Sequence, residues 1–369
     1  MLLLVVSDFH LGKGRYFKNG EINLLEDFEE DVRFVEFVEF HCTNNYREKS
    51  VQLVLNGDFL NLLQIENYGV FSPLITEQRT LDALVSIKNG HENIFKSLKK
   101  FVQTPHKKLI YIIGNHDAAM YWPKAQELFC QLVGGSVGSV EFAMHKNILG
   151  IHIEHGHRFE AINNIPTSNY FTHAPNGDKI LNLPWGGRFC IEVLPALKKE
   201  RPYLDKIRPV GHYVRWCFFH DFRFFIKMCN NVVGYFMRSG IKRYLSEKKG
   251  FIHAFWFLKN FAIFPQFFKK AKKILIKNKE VHTVILGHTH ISEWRKFPDG
   301  KLYFNTGTWN SIASLDSGLH QDLRHLTYVH IEINENEYGE FATMESAGLY
   351  QWFGHWTPFR EEVKINHMR

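Results

Sequence analysis

Five short apolar runs in the sequence each end in side chains that could bind a metal ion or move a proton. The runs end at Ser7-Asp8-Phe9-His10, Asn56-Gly57-Asp58, Gly114-Asn115-His116-Asp117, Glu154-His155-Gly156-His157 and Gly287-His288-Thr289-His290. These ends supply carboxylates, one amide and several imidazoles, and no cysteine. Oxygen and nitrogen ligands without thiolate suit Mn²⁺, Fe or Zn²⁺ in a catalytic site rather than a structural zinc. The pattern predicts a metal centre assembled from several strand ends.

The candidate side chains are more numerous than one ion needs. They are Asp8, His10, Asp58, Asn115, His116, His155, His288 and His290. About seven ligands are too many for one tetrahedral ion, and they suit two ions that share a bridging carboxylate. Two such ions are a common device for attack on phosphorus. We therefore expect two divalent cations, Mn²⁺ before Fe or Zn²⁺, and a phosphorylated substrate.

The apolar runs have the length and composition of buried parallel strands. The predicted strands are 2–6, 51–55, 109–113, 149–153 and 283–286. Ligands of an open α/β sheet bind at the carboxyl ends of its strands, so these ends are expected to meet. Helical periodicity at 24–40 and 77–102 supplies covering helices. From this pattern alone we expect the strands before and after residues 160–280 to share one sheet.

In type and order, these blocks resemble those of the calcineurin-like metallophosphoesterase superfamily. The resemblance covers the chain outside residues 160–280. It implies an α/β fold, a four-layer α/β/β/α sandwich with the metals at its carboxyl edge. It also implies the ligands of the two ions: Asp58 between them, Asp8, His10 and His290 on one, and Asn115, His155 and His288 on the other.

His116 and Asp117 are the candidate catalytic residues. A hydroxide held by both ions would be the nucleophile, because metal binding lowers the pKa of water towards neutrality. His116 follows a predicted ligand and could protonate the leaving oxygen. Asp117 would either orient that imidazole or cap a helix. The candidate substrate contacts, which as surface charges would have no such role, are Lys13, Arg15, Asn61 and Arg158.

Residues 186–280 combine positive charge with aromatic side chains. They contain 21 Lys and Arg against 6 Asp and Glu, a local net charge of +15 in a chain of +7. They also contain 14 Phe, with apolar segments at 218–225 and 251–268 that charges interrupt. Aromatic and basic side chains without a spanning stretch describe helices lying in a membrane interface. The alternatives are a core with a solvated basic face and a groove for single-stranded nucleic acid.

Within the superfamily, residues 7–12 and the insertion before the last histidine block are similar to UDP-2,3-diacylglucosamine hydrolases. This similarity implies a lipid-linked phosphoester or pyrophosphate substrate at an anionic membrane surface. Those enzymes have an arginine where this chain has His116, an acid near Asn61, and a shorter insertion. A soluble phosphodiesterase or phosphatase acting on nucleotides, nucleic acid or phosphoprotein is the alternative. A metal-free binding scaffold is disfavoured because none of the seven ligands is missing.

We expect three parts in the chain. Residues 1–160 and 281–347 would form the dimetal domain, 161–280 a helical insertion acting as a lid or membrane platform, and 348–369 a C-terminal tail. Five cysteines without a CxxC spacing argue against a disulfide framework. The first residues are typical of a strand rather than a signal peptide. We expect a cytoplasmic location, peripheral to the inner face of the cell membrane, and the sequence identifies no particular protein partner.

Overall fold

The structure is a computed structural model of the 369-residue chain. It describes residues 1–17, 19–66, 70–136, 138–165, 169–204, 206–208, 210–247, 266–314, 325–335, 342–354 and 362–364. The predicted apolar segment at 251–268 therefore lies largely outside the described residues. None of the helices described is long and apolar enough to cross a membrane.

The described chain contains sixteen strands. In chain order they are β1 Leu2–Val6, β2 Val51–Asn56, β3 Lys107–Ile112, β4 Val140–Ala143, β5 His145–Ile148, β6 Ile151–Glu154, β7 Phe171–His173, β8 Lys179–Leu181, β9 Ile207–Arg208, β10 Thr283–Leu286, β11 Ser292–Lys296, β12 Leu302–Thr306, β13 Ala313–Ser314, β14 Thr327–Glu335, β15 Ala342–Trp352 and β16 Glu362–Lys364. The helices are α1 Asp31–Phe40, α2 Glu77–Gly90, α3 Glu92–Gln103, α4 Pro123–Leu132, α5 Trp185–Glu192, α6 Leu194–Lys198, α7 Val210–His220, α8 Phe222–Glu247 and α9 Phe267–Lys277.

The strands form two main sheets. The first has the order β16-β15-β14-β1-β2-β3-β4, and the second has the order β11-β12-β10-β6-β5. In the first sheet β1 to β4 are parallel, while β14 joins β1 antiparallel. In the second sheet β6, β10 and β12 are parallel. The carboxyl ends of the parallel strands are the ends that carry the predicted ligands.

The four-layer α/β/β/α sandwich is confirmed, and β1 shows how its layers pack. Leu3 and Val5 point between the sheets, where they join Ile153 and Ile285 of the second sheet in one core. The alternate residues of β1 point the other way, into a core shared with α1 to α4. Helix α9 covers the outer face of the second sheet. Because β1 is buried on both faces, its sequence is apolar throughout.

The expectation of a single sheet is wrong, because β1 to β3 and the pair β6 and β10 belong to different sheets. The antiparallel hairpin of β5 and β6 starts the second sheet, and an apolar run of four residues carries no sign of this change. The packing of one sheet on the other, rather than pairing within one sheet, brings the predicted ligands together.

The long helix predicted at 77–102 is two helices, α2 and α3. A Cβ added to Gly90 would lie 2.3 Å from the backbone of Lys13, so the loop after β1 packs directly on the break. The helix predicted at 24–40 begins only at Asp31, because residues before it form a loop held by Glu26. The Glu26 carboxylate accepts hydrogen bonds from the backbone N–H groups of Gly12 and Gly14 at 3.0 and 2.6 Å.

The insertion helices α5 to α8 have a small core of their own, which includes Leu197, Tyr213, Phe224 and Tyr235. Residues beyond 266, which the sequence assigned to the insertion, do not join this core. They form α9, which packs on the second sheet. The predicted boundary at 347/348 falls inside β15, which pairs with β14 along its length. Both differences arise because a change in composition does not mark the point where a chain re-enters a sheet.

His91, at the junction of α2 and α3, should make stability depend on pH. Burial lowers its pKa, but contacts of 2.8 Å to Asp31 and 3.4 Å to Glu26 outweigh burial and raise it from 6.5 to about 9. Its stabilising effect is therefore complete below pH 6.5 and is lost as the pH rises through 9. We expect wild type to lose up to about 3 kcal/mol relative to His91→Gln over this range.

Urea unfolding of both proteins at intervals from pH 6 to 9.5 would measure that difference. The difference between the two proteins cancels every other group that titrates in this range. Parallel stability curves for wild type and His91→Gln would show that the protonated imidazole does not stabilise the junction.

Candidate metal centre

The carboxyl ends of strands from both sheets meet in one place, and all seven predicted metal ligands lie there. The Asp8 carboxylate, after β1, is 4.0 Å from His155 Nε2 and 3.5 Å from His290 Nε2. The Asp58 carboxylate, after β2, is 3.2 Å from His155 Nε2 and 3.9 Å from His10 Nε2. The Asp58 carboxylate therefore lies between imidazoles of the two sheets, and the Asp8 carboxylate lies near two imidazoles of the second sheet.

Three overlapping groups of these side chains could each hold a cation. They are Asp8 with His10 and His290, Asp58 with His155 and His288, and His10 with Asp58 and His116. The first two groups divide the ligands as the family resemblance implies. Asn115 lines a cavity that His10, Asp58 and His288 also line. The third group shares His10 and Asp58 with the other two and adds His116, so it is an alternative arrangement of one centre rather than a separate site.

Unsatisfied buried oxygen atoms show that the residues fit a pair of cations. Asp8 Oδ1 and Asn115 Oδ1 are buried and have no hydrogen-bond partner within the described ranges. A buried oxygen without a partner destabilises a fold by roughly 1–3 kcal/mol. Burial also raises the pKa of Asp8 to about 6. Two divalent cations, one at each oxygen, would satisfy them, and the donor set of oxygen and nitrogen is one that such ions accept.

The backbone at the predicted ligands is strained. Five of them have a positive φ: Asp8 at 57°, His10 at 54°, Asp58 at 51°, His288 at 71° and His290 at 62°. Residues other than glycine rarely adopt this left-handed conformation, which costs about 1–3 kcal/mol each. Such strain persists where the surrounding structure imposes it and is concentrated at functional sites.

Glycines before three ligands leave room for side chains from neighbouring strands. A Cβ added to Gly114 would lie 2.2 Å from Asp58 Oδ1, and one on Gly57 would lie 2.4 Å from the His155 ring. A Cβ on Gly287 would lie 2.8 Å from Asp8 Oδ2. The three glycines are therefore part of the site, because larger residues would displace the ligands.

Hydrogen bonds behind the ligands fix their orientation. Asp8 Oδ2 accepts from the Ser7 hydroxyl and from the His288 backbone N–H, which leaves Oδ1 facing the site. His155 Nδ1 is 2.9 Å from the Asn56 carbonyl oxygen and must donate to it. His155 Nε2 is then the nitrogen available to a cation.

Glu160 is a site residue that the sequence reasoning missed. Its Oε2 lies 2.8 Å from His288 Nε2, the arrangement in which a carboxylate orients a metal-binding histidine. Burial raises the pKa of Glu160, but the charge and hydrogen bond of His288 outweigh it and lower the pKa overall. The only signal in the sequence was its position five residues after His155, at the border of the insertion.

His116 lies beside the predicted ligands, but Asp117 does not orient it. The Asp117 carboxylate accepts hydrogen bonds from the Phe59 N–H at 3.0 Å, the Gly114 N–H at 2.6 Å and the Tyr111 hydroxyl at 2.7 Å. Nor does its side chain cap the short 3₁₀ helix that follows it. Burial and the charge of Asp58 raise the pKa of Asp117 to about 7. Asp117 therefore ties β2 to β3.

Only Asn61, among the four candidate substrate contacts, touches a predicted catalytic residue. Its Oδ1 is 3.1 Å from His116 Nδ1. Lys13 is 3.7 Å from Glu66 at a smaller pocket of about 240 Å³ that Asn61 also lines. Arg15 forms an ion pair with Glu29 at the surface. Lys13, Arg15 and Arg158 are not among the described residues lining the main cavity.

A cavity of about 520 Å³ separates the metal centre from the insertion helices. Its floor is polar and includes His116 and five of the seven predicted ligands: His10, Asp58, Asn115, His288 and His290. Its walls are largely apolar and come from α5, α6 and α8: Phe189, Leu194, Leu197, Met228, Val232 and Val233. The insertion therefore lies over the metal centre, with a largely apolar space between them.

Gly114→Ala should weaken metal binding, because its Cβ would displace the Asp58 carboxylate. We expect Mn²⁺ affinity, measured by calorimetric titration of chelator-treated protein, to fall by roughly 10- to 100-fold. Gly211→Ala is the matched control, since a Cβ there meets nothing within 4 Å. Circular dichroism would verify that both variants fold. Equal Mn²⁺ affinity in wild type and Gly114→Ala would exclude Asp58 as a ligand.

Comparison with known proteins adds distant structural likenesses. No family model and no curated protein matches the chain. A predicted phosphoesterase from Streptococcus pneumoniae is 10% identical, with 99% of this chain and 97% of that chain covered and a TM-score of 0.32. The calcineurin-like phosphoesterase YfkN from Bacillus subtilis is 11% identical, with 95% and 89% covered and a TM-score of 0.31. A Vps29 mutant from Entamoeba histolytica is 12% identical, with 99% and 100% covered and a TM-score of 0.23. Likenesses at these TM-scores carry no argument, and the fold follows from the chain's own two packed sheets.

Proposed function

We propose that this chain is a dimetal hydrolase of phosphoester or pyrophosphate bonds. The observation that carries the proposal is the convergence of seven oxygen and nitrogen donors from two sheets on one point, with strained backbone at five of them. A donor set of this kind, with carboxylates between imidazoles, suits two divalent cations, and Mn²⁺ is our first choice.

The chain's own residues would do the following. Asp8, His10, Asp58, Asn115, His155, His288 and His290 would hold the ions. Bound ions would supply an activated water and neutralise charge on the phosphate. His116 lines the cavity and would donate a proton to the leaving oxygen. The insertion helices would exclude bulk water, which strengthens the electrostatic interactions within the site.

We propose a lipid-linked substrate, such as a lipid pyrophosphate. The support is the contrast between the polar floor of the cavity and its apolar walls, where Phe189, Leu197 and Val232 lie above the ligands. A substrate with a phosphate at one end and an acyl chain at the other would match both surfaces.

We propose further that the insertion docks on an anionic membrane. The support is a surface that we call the aromatic face, formed by Phe218, Phe219 and Phe222, which are 46 to 70% exposed and in which the Phe218 ring contacts the other two. The exposed Arg223 lies beside it on α8. Aromatic and basic side chains together are typical of helices that lie in a membrane interface.

Hydrolysis should require both metal and the predicted central carboxylate. We expect chelator-treated protein to be inactive and Mn²⁺ to restore cleavage, measured across lipid pyrophosphates, cyclic nucleotides, DNA and bis(p-nitrophenyl) phosphate. Asp58→Asn should lower activity by about 10³-fold, since metal ions supply several kcal/mol of transition-state stabilisation. Asp82→Asn, at an exposed position of α2, is the control. Full activity of Asp58→Asn would refute the proposal, and cleavage of soluble diesters without lipid pyrophosphates would refute the lipid-linked substrate.

Membrane docking should depend on the aromatic face. We expect wild type to sediment with vesicles of anionic phospholipid, and Phe219→Ser with Phe222→Ser to weaken this association by about 10-fold or more, because two exposed aromatic rings leave the interface. The control is Val32→Ser with Val85→Ser, which removes exposed apolar side chains from α1 and α2. Sedimentation that the two pairs of substitutions reduce equally would rule out the aromatic face as the docking surface.

A further inference from the structure

We infer that Gln64 is a positioning residue for His116, and that it links the imidazole to insertion helix α5. Through Asn61, Gln64 fixes which nitrogen of His116 faces the reacting phosphate. The inference rests on the proposed function, in which His116 donates the proton. It concerns residues that nothing in the sequence had connected, since Gln64 and Cys190 lie 126 positions apart.

The argument begins at a backbone carbonyl in α5. The oxygen of Cys190 can only accept a hydrogen bond, and Gln64 Nε2 lies 3.2 Å from it. The amide nitrogen of Gln64 must therefore face α5. Its other terminal atom, Oε1, must then face the opposite direction, towards Asn61. The assignment of the two amide atoms of Gln64, which geometry alone leaves open, is settled by this carbonyl.

The same reasoning fixes Asn61 and then His116. Gln64 Oε1 can only accept, and the atom 2.7 Å from it is Asn61 Nδ2. Asn61 Oδ1 therefore faces His116 Nδ1 at 3.1 Å and accepts from it. His116 Nδ1 must carry a proton. In the neutral imidazole Nε2 is then a hydrogen-bond acceptor. In the charged form Nε2 carries a proton that it can donate to a group other than Asn61.

Helix α5 also approaches the other side of the imidazole. Cys190 Sγ is 4.0 Å from His116 Nε2. The contacts therefore form a closed ring of four residues: His116, Asn61, Gln64 and Cys190. Asn61 and Gln64 are buried, with 2% and 5% of their surfaces exposed. Buried amides keep their hydrogen bonds because water does not compete for them. The orientation of the imidazole is thus set only while α5 is packed over the cavity.

The link has a chemical consequence for the enzyme. If α5 moves away, Gln64 loses the carbonyl that fixes its amide, and either orientation of the two amides becomes available. The hydrogen bond that holds His116 Nδ1–H on Asn61 is then weakened. Fewer charged imidazoles aim their Nε2–H at the leaving oxygen, which would take that proton and leave a neutral imidazole with its proton on Nδ1. Proton donation is therefore coupled to the packing of α5 over the cavity.

Gln64→Met and Gln64→Glu separate the contribution of the hydrogen bond to Asn61 from that of the hydrogen bond to Cys190. Methionine removes both hydrogen bonds, whereas glutamate can still accept from Asn61 but cannot donate to Cys190. Gln126→Glu is the matched control, because Gln126 of α4 also donates a hydrogen bond from Nε2 to a backbone carbonyl, that of Met120. Thermal unfolding of all three variants would verify that they fold.

The main readout is the dependence of rate on the leaving group. Loss of a general acid slows departure of a basic leaving group more than that of a good one. With Mn²⁺ and Gln64→Met, we expect cleavage of diphenyl phosphate to fall by about 10- to 100-fold, and cleavage of bis(p-nitrophenyl) phosphate by only about 2- to 5-fold. Gln64→Glu should show the same trend, and Gln126→Glu should match wild type on both esters.

A second readout needs neither metal nor turnover. Two-bond ¹H–¹⁵N spectra of metal-free protein report the tautomer of each histidine, and His116→Gln identifies the signals of His116. We expect the proton on Nδ1 in wild type and in Gln126→Glu, and a mixture of tautomers in Gln64→Met.

The outcomes distinguish this inference from the proposed function. Equal loss on both esters, an unchanged tautomer in Gln64→Met, or the same effects in Gln126→Glu would overturn the role of Gln64. If wild type with Mn²⁺ cleaves neither these esters nor the lipid pyrophosphates, cyclic nucleotides and DNA, but the tautomer depends on Gln64, the link stands and the proposed hydrolase activity fails. If the esters are cleaved and the tautomer is the same with and without Gln64, the proposed hydrolase activity stands and the role of Gln64 fails.

Discussion

Two carboxylates, Asp8 and Asp58, are buried together where the edges of the two sheets meet, and the surrounding structure is arranged around them. Like charges in a buried site repel, and each costs free energy to remove from water. The imidazole of His155, which lies within 4.0 Å of both, offsets part of that cost. The pKa of His155 reflects this position, since burial lowers it but Asp58 and Asp8 raise it to about 10. The apolar layers between and outside the sheets must supply the stability that holds this centre and its strained backbone together.

Much of the fold and of the centre could be predicted from the sequence, because both depend on local pattern. An apolar run followed by a polar ligand identifies a strand and its carboxyl end without knowledge of its neighbours. What could not be predicted depends on partners distant in sequence. Asp117 follows His116 directly, yet its carboxylate contacts Tyr111 and backbone groups, while His116 contacts Asn61. The division of the strands between two sheets escaped prediction for the same reason.

The insertion shows why composition alone left its role open. Its aromatic side chains serve three purposes at once in the described residues. Tyr213, Phe224 and Tyr235 form a core, Phe189 forms part of the cavity wall, and the aromatic face remains exposed. A count of Phe and Lys cannot distinguish these positions, whereas helical packing does. A core and an exposed face, which the sequence offered as alternatives, therefore occur together.

The insertion leaves and re-enters the sandwich at almost the same point. Phe159, where the chain departs after β6, and Phe267, where it returns in α9, have ring centres 6.1 Å apart. A chain whose two stems touch can vary in length between them at small entropic cost, and without moving the strands on which it is mounted. The sandwich is therefore a stable base on which the covering segment is free to diverge. Differences in covering segment would change what reaches the centre and leave the chemistry of the centre the same.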